Sequence, residues 1–148
     1  MTFVDLARKS IKRHEGFSQK IYLCSQGKLT AGWGHMIEDD SEPFVVLPGA
    51  LIPMETCERW FEDDLHVAIS DATTVVKRFN ALNEMQQAVL VDMAFNLGRS
   101  RLAGFKKMIT AINNGDFIKA AAEMVDSKWY KDVGSRASSL AKTMAYGI

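Results

Sequence analysis

The chain opens on a short amphipathic stripe. Phe3, Leu6, Ala7, Ser10 and Ile11 recur near helical spacing with charged residues between them, which predicts a helix over 2–14 that stops at Glu15-Gly16. The period then changes. Residues 19–24 and 28–33 mix β-branched, aromatic and polar side chains on either side of Ser25-Gln26-Gly27, a hairpin in which Gly27 supplies the positive φ. Residues 36–53, with Pro43, Pro48-Gly49 and Pro53, carry neither period and read as an irregular, exposed connection.

Beyond Pro53 the helical period dominates. A long helix is predicted from Met54 to about Val76, with Trp60, Leu65, Ile69, Ala72 and Val76 near one face. Asn83 and Gln86 form a capping pair for a helix over 84–97, which Gly98 stops. Ala88, Val89, Val91, Met93, Ala94 and Phe95 leave that helix little polar surface, the mark of a buried central helix. Shorter helices follow at about 101–113, ended by Asn114-Gly115, then at 117–126 and 135–145. The class is α+β and mostly helical. One domain is expected over 1–148: an N-terminal helix to 14, a β-hairpin lobe at about 15–53, a joining helix at about 54–76 and a helical lobe over 77–148.

Charge changes the picture in one respect. The net charge is zero, yet six basic residues face two acidic ones in 1–35, one faces ten in 36–76, and eleven face six in 77–148. An even total argues against a duplex nucleic-acid binder, while two basic segments suit a polyanionic substrate. Cys24 and Cys57 are too few for a disulfide framework and are expected as free thiols. Asp5, Arg8, Lys9 and Lys12 stand where a secretion signal needs its apolar run, and the apolar run at 88–94 is too short to cross a bilayer. Three scattered histidines and two distant cysteines make no zinc site, and no phosphate-binding glycine loop or dinucleotide motif is present. No metal and no cofactor is expected.

The candidate chemistry lies in the first quarter of the chain. Glu15 is followed after eight residues by Cys24, and Cys24 after five by Thr30, within the flanks His14-Glu15-Gly16 and Thr30-Ala31-Gly32-Trp33-Gly34-His35. Further blocks come in order: Trp60-Phe61 with Asp64, Met93-Ala94-Phe95-Asn96-Leu97-Gly98, Ala103-Gly104-Phe105, Ser127-Lys128-Trp129-Tyr130, and Arg136-Ala137. Together they resemble the phage lysozymes of the T-even type, whose catalytic pattern is Glu, then Asp or Cys, then Thr, and the resemblance covers nearly the whole chain.

The resemblance implies a two-lobed lysozyme-like fold and an endolysin: a muramidase that cuts the β-1,4 bond between N-acetylmuramic acid and N-acetylglucosamine in bacterial peptidoglycan. It implies Glu15, Cys24 and Thr30 as catalytic residues. Arg136 would pair with Glu15, His35 with Asp64 in a structural ion pair, and Gly32, Phe95 and Asn96 would support or line the cleft, Asn96 standing for a more usual glutamine. The protein would be a monomer with peptidoglycan as its partner, without nucleic acid or stable membrane insertion, held in the host cytoplasm until a membrane pore admits it to the wall.

Physical chemistry accepts these assignments and leaves one open. Glycoside cleavage passes through an oxocarbenium-like state, so the leaving oxygen needs a proton while water or a nucleophile attacks the sugar. A carboxyl donates that proton where apolar neighbours disfavour its charged form, which suits Glu15. Cys24, where aspartate is commoner, acts either as a base toward water or as a nucleophile; the resemblance implies an inverting course as the default, and a retaining one stays open. Thr30 orients by hydrogen bonding. Two rivals exist: a thiol amidase or peptidase using Cys24 with His14 or His35, which leaves Glu15 and Thr30 idle, and a wall-binding relative without turnover.

Overall fold

The computed structural model of the chain describes residues 1–38 and 44–148. Expectations for Asp39, Asp40 and Pro43 lie outside the described residues. The chain divides into two compact units, one of residues 12–66 and one of residues 1–11 with 67–148. Their boundaries fall inside α1 (Phe3–Glu15) and α2 (Met54–Val75).

α1 starts on a reciprocal cap. Thr2 donates from its N–H and its hydroxyl to Asp5 Oδ2, and the Asp5 N–H donates back to Thr2 Oγ1 at 3.3 Å, which satisfies amides that the first turn leaves open. Ala7 and Ile11 are its buried face.

The 12–66 unit is built on a three-stranded antiparallel sheet in the order β1 (Ser18–Leu23), β2 (Leu29–Gly32), β3 (His35–Met36). β1 and β2 pair as Tyr22 with Thr30 and Leu23 with Leu29. Their connection is closed by hydrogen bonds from Gly27 N–H to Cys24 O and from Cys24 N–H to Lys28 O, with Gly27 at φ 74°. β3 was not expected. Two residues are too few to show a period, although its pairing of Ala31 with His35 and Thr30 with Met36 is local, across the turn at Trp33-Gly34.

The described part of the expected connection, residues 44–53, is irregular and largely exposed, but it is anchored to the sheet. Ile21 N–H donates to Ala50 O, Gly49 N–H to Ile21 O and Ile52 N–H to Gln19 O, and Lys20 pairs with Leu51, so this stretch lies along the outer edge of β1 and covers it. Ile52 is fully buried in a core with Ile21, Ala31, Cys57 and Trp60, against which Phe44, Val46 and Ala50 pack. Apolar residues that alternate with exposed Val45, Leu47 and Leu51 supply the burial.

In the second unit, α3 (Glu84–Leu97) is the buried helix, with every residue from 86 to 94 buried. Asn83 Oδ1 accepts the Gln86 N–H at 2.8 Å, and Gly98 ends the helix. The Gln86 side chain does not return the bond to Asn83; its Nε2 donates to Met144 O, which ties α3 to α8 (Ser135–Tyr146). The single helix expected over 101–113 is two, α4 (Arg99–Ala103) and α5 (Lys106–Asn113), because Gly104 caps α4 and Phe105 turns away to meet Trp129 edge-on at 5.9 Å. α6 (Phe117–Val125) packs on α5 and α8. A further short helix, α7 (Lys128–Val133), is set by Ser127, whose hydroxyl accepts the Tyr130 N–H. Among the described residues no helix is long and apolar enough to cross a membrane.

Candidate active site

The hairpin turn places Cys24 directly after β1, half-buried and free. The N–H groups of Lys28 and then Gln26, converging as the chain reverses, stabilise its thiolate and hold the thiol below its ordinary pKa; the Thr30 hydroxyl adds to this, and desolvation opposes it. Thr30 is 2% exposed, and its hydroxyl also donates to Lys28 O at 3.0 Å. That hydroxyl has one proton and two acceptors in reach, a carbonyl and a sulfur. Turn and strand pairing have therefore built a polarised thiol from residues six apart in sequence.

Glu15, the last residue of α1, is seated on the turn between β2 and β3. A β-carbon at Gly34 would stand 2.6 Å from Glu15 Oε1, and Gly34 is at φ 71°, so the carboxyl rests on bare backbone that a side chain would occupy. Helix end and sheet thus meet, which the sequence did not reveal. Gly32 differs: a β-carbon there would make only ordinary contact with Cys57 Cβ at 3.6 Å, and it is the φ of 66° that calls for glycine. Cys57 itself is buried, and burial, followed by the neighbouring charge of Glu58, pushes its thiol up.

His35 closes the same turn. Its Nδ1–H donates to Asp64 Oδ2 at 2.7 Å, and its ring stacks on Trp60 at 4.4 Å, so β3 is fastened to α2 by one polar and one aromatic contact. Trp33 lies between Phe17 at 4.6 Å and Phe61 at 5.5 Å, a packing position.

Three expected site residues belong to the helical unit. Phe95 and Asn96 are half-buried near the end of α3, where Asn96 Oδ1 accepts the Trp129 indole N–H at 2.8 Å. This contact fixes the amide and leaves its NH₂ end as the donor. Arg136 is paired with Asp92: its Nε and Nη2 both lie 2.8 Å from Oδ1, while the Ser10 hydroxyl donates to Oδ2 at 2.6 Å. Asp92 and Ser10 were not singled out from sequence, though an Asp inside an otherwise apolar helix was the available signal.

A family model described as phage lysozyme matches residues 12–144. The chain belongs to the phage lysozyme family. Over 93% of its length it is 32% identical to the pre-baseplate central spike protein Gp5 of Enterobacteria phage T4, and it spans 27% of that protein. Over 97% of its length it is 26% identical to a probable T4-type lysozyme 2 of Dictyostelium discoideum, of which it spans 96%. A stretch of 94 residues, 64% of the chain and 62% of the relative, is 34% identical to an endolysin of Salmonella phage P22.

Within this member of the phage lysozyme family the helical unit also carries an open groove of about 560 Å³. Trp129, Phe105 and Leu97 form its apolar lining, and Arg101, Lys106 and Lys128 are among its basic residues. Sequence reasoning did not single out these basic residues, because their convergence depends on the break between α4 and α5. Among the described residues no cluster of His, Cys, Asp and Glu could hold a metal ion.

Proposed function

We propose that the chain is an endolysin-type muramidase that hydrolyses the β-1,4 bond between N-acetylmuramic acid and N-acetylglucosamine of bacterial peptidoglycan. The observation that carries the reading is the hairpin site itself, a thiol polarised by two amides and Thr30, in the unit where the Glu15 carboxyl rests on Gly34. The names of the relatives, a lysozyme and an endolysin, support the same substrate.

In this mechanism Glu15 gives its proton to the leaving glycosidic oxygen as the bond breaks. Cys24, as thiolate, takes a proton from the attacking water, and Thr30 holds that water or a sugar hydroxyl by hydrogen bonding. Charge is conserved: the carboxyl becomes a carboxylate and the thiolate a thiol. The product anomer is inverted if water attacks directly. The free NH₂ of Asn96 is suited to the carbonyl of an N-acetyl group, with Trp129 fixing its direction. His35 and Asp64 hold the turn and take no part in proton transfer.

Purified peptidoglycan digested by the wild type should release new reducing ends. Glu15→Gln should lower that rate by about 10²- to 10⁴-fold, and Cys24→Asp, which keeps an anionic base, should retain turnover. Release of free amines in place of reducing ends would overturn the reading in favour of a thiol hydrolase. Absence of any turnover would reduce the chain to wall binding.

A further inference from the structure

Glu15 has to be held by something other than its own backbone, because it sits at the final residue of α1, where helices fray. Gly34 gives its carboxyl a seat. The residue one turn back on the same face is Lys12. Its ammonium lies 3.0 Å from Glu58 Oε2 on α2. It also stands 4.1 Å from the centroid of the Trp33 ring and 4.9 Å from that of Phe61. One cation therefore touches three elements: the end of α1 that carries it, α2 through Glu58 and Phe61, and the β2–β3 turn through Trp33, the immediate neighbour of Gly34. Trp33 is held in turn by Phe17, two residues past Glu15. The chain on either side of Glu15 is thus fastened to the turn on which its carboxyl rests.

The contacts suit that task. A lysine over aromatic faces gains attraction from the ring quadrupoles while its stem packs, and the paired carboxylate fixes which way the ammonium points. A cation in the last turn also complements the negative end of the helix. Only the combination of ring and carboxylate gives a direction, and both partners lie off the helix.

We propose that Lys12 is a positioning residue for the Glu15 carboxyl, a latch that holds the last turn of α1 against the β2–β3 turn so that the acid meets the glycosidic oxygen in register. The inference rests on the reading of Glu15 as the proton donor. Lys12→Met keeps the stem and removes the charge. It should lower kcat by about tenfold or more, since small misplacements of a reacting group are costly, and leave KM within about twofold. Lys12→Arg, whose guanidinium still pairs with a carboxylate and stacks on rings, should restore most of kcat. Glu58→Gln, which leaves the cation over Trp33 and Phe61, should fall between the two.

The measurement is initial rates on purified peptidoglycan, with circular dichroism melts placing every variant below its unfolding transition at the assay temperature. Wild-type kcat in a folded Lys12→Met protein overturns the latch. So does a loss that appears in KM, or one that Lys12→Arg fails to restore. If Glu15→Gln itself keeps full turnover, the assignment of the acid fails instead, and the two failures are told apart by that one variant.

Discussion

In the helical unit the Asp92 carboxylate is fully buried, with Arg136 on one oxygen and the Ser10 hydroxyl on the other. In the hairpin unit the chemically capable groups, Glu15 and Cys24, are only half-buried, and Cys24 is polarised by backbone N–H groups of a turn. The first cluster ties a buried carboxylate to an arginine and a hydroxyl and links α1, α3 and α8. The second leaves capacity that a substrate can use. A buried ion pair specifies how helices sit and loses heavily when one partner is removed, whereas a turn can aim amides at a half-exposed atom at little cost in folding. Rigidity and reactivity are thus served by opposite degrees of burial.

That contrast can be broken by substitution. The largest effect belongs to Asp92→Ala, which takes the buried carboxylate from the Arg136 guanidinium and should remove about 3–5 kcal/mol of stability, read as a lower urea midpoint; a loss under 1 kcal/mol would mean that the pair holds nothing. Gly34→Ala should follow. It forces an L-residue into left-handed backbone, worth about 1–2 kcal/mol, and drives a methyl into Glu15 Oε1, so activity should fall by more than the melt explains. Activity that merely tracks stability would separate Gly34 from the acid. Ser10→Ala should cost about 1 kcal/mol, the loss of one hydrogen bond to a carboxylate that keeps its arginine.

The smallest effect tests the sulfur. Iodoacetamide should alkylate Cys24 with a midpoint below that of an unperturbed thiol, because amide and hydroxyl donors favour the thiolate, while Cys57, pushed up by burial, stays slow. Thr30→Val removes a donor and should move the Cys24 midpoint upward. A midpoint unchanged or lowered would show that the hydroxyl serves only Lys28 O.

What was legible depended on where the determining contact lay. The limits of α3 were read correctly because Asn83 and Gly98 act within a few residues of the helix they bound. The β1–β2 turn was legible for the same local reason, Gly27. The split between α4 and α5 was not, since it depends on Phe105 meeting Trp129. The anchoring of residues 44–53 was not legible because their alternation is weak in composition and their partner, β1, lies well before them in the chain. In the candidate site, residue types and spacing pointed to Glu15, Cys24 and Thr30, but no local rule could reveal the seat on Gly34 or the Lys12 contacts with Trp33 and Glu58.

The sequence by itself determined the helix stripes and the hairpin turn, because periodicity, caps and glycine conformations act over a handful of residues, and it supplied candidates for moving protons. Only the tertiary structure decided the burial of Ile52, the pairing of Asp92 with Arg136 and the support beneath Glu15. Each of these needs atoms that are distant in the chain to come within hydrogen-bonding or van der Waals reach, and that distance is set by the packing of whole elements.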